Sequence, residues 1–285
     1  MATFIKKVRA PVRIDFAGGT TDIKLFSDKY GGAVLNAAIN HYVYGTLTAT
    51  DKSTKLEYHA DIPTSSGLGT SSAMNDVWVA LITRMTDKTK IAETVFRIEQ
   101  TIKESSINNG KQDQYAAAYG GINYMEFIGN EVRVHPLDIK KSVIKELEEK
   151  LVLVYSGKAH LSGSSNKAAI DNLLKGKNDK NLLRIKEIAG EMRNFLIKGD
   201  LTGFSHLMNK ETEERRKLSK ITISSQLQKI IDDGMNNGAI SAKICGSGGQ
   251  GSVLLFAENP KKLKKFFGRR VIPFKFDFEG LTWLD

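Results

Sequence analysis

The sequence predicts a protein of the α+β class, and two kinds of pattern support this assignment. Some segments alternate apolar and polar residues with the period of a strand, beginning with residues 7–16. Others place apolar residues at helical spacing, and helical segments dominate residues 164–236. The 285 residues, 41% hydrophobic and 26% charged, suffice for one large globular domain or two medium ones.

The first predicted strand leads into a tight turn that carries a candidate ligand group. The turn at residues 17–22 contains Gly18 and Gly19, which permit unusual backbone angles, and it ends at Asp22. Asp22 either caps the next segment or accepts hydrogen bonds from a hydroxylated ligand. Its position beside Arg13 at the end of a strand favours the ligand contact.

A loop rich in glycine and hydroxyl residues occupies positions 63–73 and precedes an apolar helical run. Gly67 and Gly69 would let the backbone approach an anion, and the first helical turn would aim free N–H groups at it. Ser71 or Ser72 can cap this helix. The pattern favours a phosphate site over a simple turn, although it is neither a Walker P-loop nor a dinucleotide fingerprint.

The remaining elements of the first half are predicted from the same periodicities. The strands are placed at 43–50 and 55–59, a second helix at 91–103, a hairpin at 123–127 and 131–137, and a charged helix at 142–150. A short helix within residues 110–121 carries Asp113 in its first turn, where the helix dipole stabilises a carboxylate. Asp113 is either an ordinary helix-terminal residue or a base for a hydroxyl nucleophile.

The continuous apolar run at 151–155 predicts a buried strand that opens a second domain, so the chain divides into residues 1–150 and 151–285. A second glycine-rich loop at 246–251 follows four helices and one strand. The predicted elements of this half are helices at 164–174, 181–197, 201–219, 225–236 and 260–267, and strands at 239–245, 252–257 and 271–276.

Composition excludes several classes of protein. The single cysteine, Cys245, rules out an internal disulfide framework and a multi-cysteine zinc site, and it suits the reducing cytoplasm. No apolar run is long enough to span a membrane, and the N-terminus lacks the pattern of a signal peptide. The net charge of +10 is spread along the chain, which favours solvated helix faces over a nucleic-acid site.

Three motifs occur in order along the chain. They are residues 9–22 (RAPVRIDFAGGTTD), 67–73 (GLGTSSA) and 243–251 (KICGSGGQG). In these motifs the chain resembles the GHMP small-molecule kinases. Within that family, the first motif and residues 110–121 are most similar to heptose 7-phosphate kinases and related sugar kinases. The resemblance implies an N-terminal ATP-binding domain of the ribosomal S5 domain-2-like kind at 1–150. It also implies a C-terminal GHMP kinase domain, an α/β sandwich, at 151–285.

The resemblance also implies the site residues. ATP and Mg²⁺ would be the cofactors, Asp113 the catalytic base with Arg13 beside it, and Ser71 and Glu99 the metal ligands, with Ser72 as the alternative hydroxyl. The ATP phosphates would contact Pro63, Ser66, Gly67, Leu68, Gly69, Thr70, Ser71 and Ser72. The acceptor would contact Gly18, Gly19, Thr20, Asp22, Gly246, Ser247, Gly248 and Gly249.

Departures from the family pattern bear on the acceptor. Gly19 and Thr20 stand where galactokinases carry Glu-His, so galactose is not expected. His160 stands where heptose kinases often carry arginine. If that arginine recognises an anionic or polyol group, the acceptor here could differ, or Lys111 and Lys158 could replace part of its charge. Ser247 and Gln250 replace the usual Ala and Gly of the third motif while keeping a glycine loop.

The sequence therefore predicts an ATP- and Mg²⁺-dependent kinase of an alcohol hydroxyl on a sugar or sugar phosphate. The alternative within the family is a kinase of mevalonate or a mevalonate phosphate. From another class, the alternative is a non-catalytic sensor or nucleic-acid binder, which the intact motifs disfavour. The expected partner is a small-molecule acceptor, phosphorylated or not, with no membrane and no nucleic acid, and a homodimer is left open.

Overall fold

The computed structural model describes residues 3–63, 65–102, 110–157 and 163–284. Within these residues, two antiparallel sheets organise the fold. The first sheet has the order β10-β1-β2-β4-β5, with β3 also paired to β2. Its strands are β1 (Phe4–Ala17), β2 (Gly32–Ala49), β3 (Thr54–Ala60), β4 (Ile122–Ile128), β5 (Glu131–Pro136) and β10 (Thr282–Leu284).

The second sheet lies in the other half of the chain and has the order β7-β8-β6-β9. Its strands are β6 (Leu151–Tyr155), β7 (Ser241–Ile244), β8 (Ser252–Phe256) and β9 (Val271–Ile272). Strands β6 and β8 are almost wholly buried, which explains their continuous apolar sequences.

Helices precede, connect and cover these sheets. The helices of the first half are α1 (Lys24–Tyr30), α2 (Thr70–Thr83), α3 (Lys88–Ile102), α4 (Gln112–Tyr119) and α5 (Lys141–Lys150). Those of the second half are α6 (Gly163–Leu174), α7 (Asp179–Lys198), α8 (Leu201–Arg216), α9 (Ser225–Asn236) and α10 (Lys261–Phe267). The predicted α+β class and most of the predicted helices are confirmed.

The two halves share one hydrophobic core. Helices α7 and α8 pack apolar side chains such as Met192 and Met208 into the same cluster as Ile14 of β1. The rings of Phe16 and Phe204 meet edge to face with centroids 5.2 Å apart. In addition, β10 returns from the end of the chain to pair with β1. The division into 1–150 and 151–285 stays a prediction.

Four sequence predictions are wrong in detail. Helix α1 was not predicted, and β2 begins at Gly32, well before 43, because its first half is buried on both faces and shows no alternation. The strand predicted at 271–276 ends at Ile272, since Phe276 instead bridges Ile39 of the first sheet. Helix α2 begins after Gly69, so no serine caps it.

Within the described ranges, no helix combines the length and apolar composition required to cross a membrane.

Candidate active site

A cavity of about 320 Å³ opens where the three glycine-bearing motifs meet the start of α4. Its wall combines the turn after β1, the loop before α2, the first turn of α4 and the loop after β7. The predicted site residues that line it are Arg13, Gly19, Thr20, Asp22, Ser66, Gly67, Gly69, Thr70, Ser71, Ser72, Glu99, Asp113, Gly246, Ser247 and Gly248. The fold therefore brings most of the predicted residues to one place.

Four predicted residues do not line this cavity. Leu68 is buried in the core and contributes only its carbonyl, which accepts from the Arg13 backbone N–H at 2.9 Å. Gly18 packs against the Ala33 carbonyl, and Gly249 donates its N–H to Thr222 O. Pro63 lies exposed on the loop before α2.

Lys111, one of the two lysines expected to replace the charge of an arginine at position 160, does not line the cavity. Lys111 Nζ lies 2.7 Å from Glu93 Oε1, and it donates to the Asn130 carbonyl outside the cavity wall. Glu93 and Asn130 thus bind the Lys111 ammonium group in this structure, and its part in replacing the arginine charge stays a prediction. Thr64, Lys158 and His160, which also belong to sequence predictions, lie outside the described residues.

The two glycine loops pack backbone against backbone. A Cβ on Gly67 would lie 2.7 Å from Cys245 O, and one on Gly246 would lie 2.9 Å from Gly67 O. A Cβ on Gly251 would lie 2.8 Å from Ser66 O. All three glycines also have positive φ. Glycine is therefore required here both for the backbone conformation and for the approach of the loops.

The first turn of α2 faces the cavity with uncapped amide groups. Gly69 is the N-cap residue, at φ +76°, and no side chain accepts a hydrogen bond at this helix start. The next three residues, Thr70, Ser71 and Ser72, all line the cavity. Free N–H groups and the positive end of the helix dipole make this wall suitable for phosphate.

Arg13 and Asp113 form an ion pair next to this helix start. Arg13 Nη2 lies 2.6 Å from Asp113 Oδ1, and its Nε donates to the same oxygen at 2.7 Å. Arg13 Nη1 donates to Gly67 O at 2.7 Å. Burial lowers the pKa of Arg13, but the neighbouring charges of Asp113 and Asp15 outweigh it and raise the pKa. Arg13 thus stays charged and joins the phosphate loop to Asp113.

Asp22 lines the same cavity as Asp113 and is almost fully buried. Its Oδ1 accepts the Thr20 N–H at 3.1 Å, and its Oδ2 accepts the Gln112 N–H at 3.0 Å. A Cβ on Gly110 would overlap this carboxylate, so only glycine fits there. Burial raises the pKa of Asp22 to about 6, against the lowering effect of the Gln112 N–H.

Glu99 lines the cavity beside the hydroxyl groups of α2. Its Oε2 accepts from Gln114 Nε2 at 2.7 Å, and its Oε1 accepts from Asn75 Nδ2 at 2.9 Å and from Ser72 Oγ at 3.4 Å. Ser71 also lines the cavity but is exposed. The serine hydrogen-bonded to Glu99 is therefore Ser72, the alternative in the sequence prediction.

Sequence reasoning missed three polar residues around these carboxylates. Gln112 and Gln114 line the cavity, and Asn75 orients Glu99. The two glutamines flank Asp113 in the sequence, which is a signal that could have identified them. Asn75 follows Ser71 and Ser72 by about one helical turn, so its face of α2 was also predictable.

The donor set fits a hard divalent cation. Glu99, Ser71 and Ser72 offer oxygen atoms at the cavity wall, and oxygen is the ligand type that Mg²⁺ prefers. Across the described ranges, no group of three or more Asp, Glu, His or Cys side chains could hold a metal ion. A magnesium ion here would thus depend on phosphate oxygens and water for its other ligands, as is usual in phosphoryl-transfer sites.

Comparison with known proteins identifies the family. The family model for the GHMP kinases N terminal domain matches residues 33–121, and that for the GHMP kinases C terminal region matches residues 192–269. Together these segments span more than half of the chain. The chain belongs to the GHMP kinase family. It is therefore an ATP-dependent phosphotransferase with an alcohol group as acceptor.

Relatives of this GHMP kinase include sugar kinases that align with it over almost their whole length. The chain is 28% identical to the D-glycero-alpha-D-manno-heptose 7-phosphate kinase of Campylobacter jejuni, over 97% of this chain and 98% of the relative. The crystal structure of a D-glycero-D-manno-heptose 1-phosphate kinase from Bacteriodes thetaiotaomicron superposes with a TM-score of 0.77 and 26% identity, covering 99% of each chain.

A more distant relative is a larger enzyme. The chain is 23% identical to the bifunctional fucokinase/GDP-fucose pyrophosphorylase of Arabidopsis thaliana, over 97% of this chain but only 32% of that protein. The GHMP kinase thus corresponds to about a third of this bifunctional enzyme.

Proposed function

We propose that this GHMP kinase transfers the γ-phosphate of ATP to a hydroxyl group of a sugar or sugar phosphate, with a heptose phosphate as the first candidate. The observation that supports this most directly is the polar acceptor end of the cavity. There Asp22, Gln112 and Asp113 lie together, and the Gln112 N–H fixes the Asp22 carboxylate. Hydrogen-bonding groups of this kind suit a polyol. The heptose kinases among the relatives support the same class of acceptor.

In this proposal Asp113 orients the acceptor hydroxyl and takes its proton as the new P–O bond forms. The bond between the γ-phosphorus and the β–γ bridging oxygen breaks in the same step, and ADP leaves. Arg13 holds Asp113 through Oδ1, which leaves Oδ2 for the acceptor. Asp22 accepts a hydrogen bond from a second hydroxyl group and thereby sets the orientation of the acceptor. Positioning and charge stabilisation, rather than covalent catalysis, account for the rate in this chemistry.

The ATP phosphates would lie on the first turn of α2 and on the two packed glycine loops. The N–H groups of Thr70, Ser71 and Ser72 would bind phosphate oxygens. Glu99 and a serine hydroxyl would hold Mg²⁺, which when bound neutralises phosphate charge. The hydrogen bond between Ser72 and Glu99 favours Ser72 as the serine ligand of Mg²⁺, whereas Ser71 is more exposed to solvent.

The proposal is tested by ADP release with Mg·ATP and a panel of acceptors. The panel contains heptose 7-phosphate, hexoses, fucose, mevalonate and the mevalonate phosphates. Turnover with a sugar or sugar phosphate supports the proposal. Turnover with only a mevalonate compound would contradict it and assign the protein to the alternative within the family.

The Asp113→Asn variant then tests the base. We expect its kcat to fall by at least about a hundredfold, since general-base catalysis contributes that much, while calorimetric binding of a non-hydrolysable ATP analogue stays close to that of the wild type. The exposed Asp138→Asn variant is the matched control. An equal loss of nucleotide binding and turnover in Asp113→Asn would contradict the assigned role.

A further inference from the structure

Behind the acceptor end of the cavity lies a buried network of four charged side chains. Asp15 comes from β1, Glu211 and Arg215 from α8, and Lys243 from β7. Their exposed fractions are 0% for Asp15, Glu211 and Lys243 and 1% for Arg215. Two acids and two bases balance, as buried charges must. The network therefore joins both halves of the chain directly beneath the site.

Arg215 connects this network to the turn after β1. Its Nε and Nη2 donate to Glu211 Oε1 at 2.9 and 2.6 Å. The same Nη2 donates to the Gly19 carbonyl at 2.9 Å, and Nη1 donates to Thr20 Oγ1 at 3.4 Å. One guanidinium thus binds an acid of its own helix and two consecutive residues of the cavity wall. Its planar set of donors makes this possible, and an ammonium group could not reproduce it.

Lys243 and Asp15 connect the same network to the second glycine loop. Lys243 Nζ lies 3.1 Å from Asp15 Oδ2 and 3.5 Å from Glu211 Oε2. Asp15 Oδ1 accepts the Gly246 N–H at 2.8 Å. Burial disfavours the charge on Asp15, but Lys243, Arg13 and Arg215 outweigh it and lower its pKa. The carboxylate is therefore ionised and holds the start of the loop.

Thr20 is the strained point of the wall that Arg215 contacts. It has φ +80°, a region that β-branched residues rarely adopt. Such a conformation persists only where surrounding contacts enforce it. Here those contacts are the Arg215 bonds to Gly19 and Thr20 and the bond from the Thr20 N–H to Asp22 Oδ1. The conformation of Thr20 thus links Arg215 to the carboxylate at the acceptor end.

We propose that Arg215 is a positioning residue for the acceptor: from α8 it holds Gly19 and Thr20 in the conformation that aims Asp22 into the cavity. It touches neither the ATP-binding loop nor Asp113 in the described structure. The kinetic part of this inference rests on the proposed sugar-kinase function. The role of Arg215 in the conformation of Thr20 does not depend on it.

The kinetic test compares Arg215→Lys with the wild type, using heptose 7-phosphate or whichever panel compound the wild type phosphorylates. We expect KM for the acceptor to rise about tenfold, equivalent to about 1.4 kcal/mol, while KM for ATP changes by less than about twofold. The exposed neighbour gives the matched control, Arg216→Lys, which should leave both constants unchanged. Equal increases in both KM values, or no change in either, would overturn the proposal.

A double-mutant cycle with Thr20→Gly separates positioning from general stability. Glycine adopts positive φ without strain, so Arg215→Lys should lower the melting temperature less in the Thr20→Gly background than in the wild type. Equal losses in the two backgrounds would overturn the proposal. This measurement needs no acceptor. It therefore stands if the whole panel is silent, in which case the proposed function fails on its own, and it applies even where Arg215→Lys is less stable than the wild type.

Discussion

The clearest pH effect in this structure is expected from Asp22. Its carboxyl is almost fully buried, and burial raises its pKa from 3.8 to about 6. At about 1.4 kcal/mol per pKa unit, this difference is equivalent to about 3 kcal/mol of folding free energy. The charge of Asp113 adds to the rise, whereas the N–H bond from Gln112 opposes it. The ionised form of Asp22 therefore lowers the free energy of unfolding.

The direction of the effect follows from proton binding. Between about pH 3.8 and pH 6 the folded protein keeps the proton on Asp22 that the unfolded chain has released. The contribution of Asp22 to the free energy of unfolding therefore falls as the pH rises through this window, and the full cost is present above it. Asp22→Asn cannot ionise, so this part of the pH dependence disappears in the variant.

The measurement is urea unfolding of both proteins from about pH 4 to pH 8. The free energy of unfolding of the wild type minus that of Asp22→Asn should fall by up to about 3 kcal/mol across this range. Other buried acids, such as Asp76 with its raised pKa, are common to both proteins and cancel in the difference. The exposed Asp51→Asn variant controls for the loss of one carboxylate. A difference that does not change with pH would refute the reasoning.

Three further predictions follow from the packing around the same cavity. Gly110→Ala places a Cβ where the Asp22 carboxylate lies. As a result, kcat/KM for the acceptor should fall at least about tenfold while KM for ATP stays within about twofold. An equal rise in KM for the acceptor and KM for ATP would contradict this prediction. Glu99→Gln should raise the Mg²⁺ concentration needed for half-maximal activity, because a charged oxygen ligand is lost, and an unchanged magnesium titration would exclude Glu99 as a ligand. In Gly190→Ala of α7, the new Cβ would lie 3.7 Å from Tyr124 OH, the one atom near it. The free energy of unfolding in urea titrations should therefore rise by about 0.5 to 1 kcal/mol. A lower free energy of unfolding would show that the space around this Cβ is too small for a methyl group.

The sequence predicts those parts of the site that depend on short, ordered motifs. Gly67 and Gly69, both at positive φ, were predicted from the glycine-rich loop and line the cavity, and Asp113 was predicted in the first turn of α4. The phosphate-binding role of this loop stays a prediction. The helix after the second motif and the strands on either side of the third were also predicted, whereas helix α1 after the first motif was not. Physical requirements that act within a few residues are visible in a single sequence.

Physical requirements that act between distant parts of the chain were not visible in the sequence. Arg215 occurs in a run of charged residues at the end of α8 and is indistinguishable in sequence from exposed Arg216. Only tertiary packing decides that one is buried against Gly19 and the other is not. The first half of β2 was missed for a similar reason, because burial on both faces removes the alternation by which a strand is identified.

The geometry of the two glycine loops makes the site a joint product of both halves of the chain. Gly67 belongs to the loop before α2 and Gly246 to the loop after β7. A Cβ on Gly67 would lie 2.7 Å from Cys245 O, and a Cβ on Gly246 would lie 2.9 Å from Gly67 O. Arg13 binds the first loop and Asp15 binds the second. On β1 these two residues are separated by a single residue. A shift of β1 would therefore move both loops together. Arg215 contacts the turn at Gly19 and Thr20 directly, whereas it reaches the second loop only through Glu211, Lys243 and Asp15. This division explains why we expect acceptor and nucleotide constants to respond independently to substitution, although every group involved lies around one cavity.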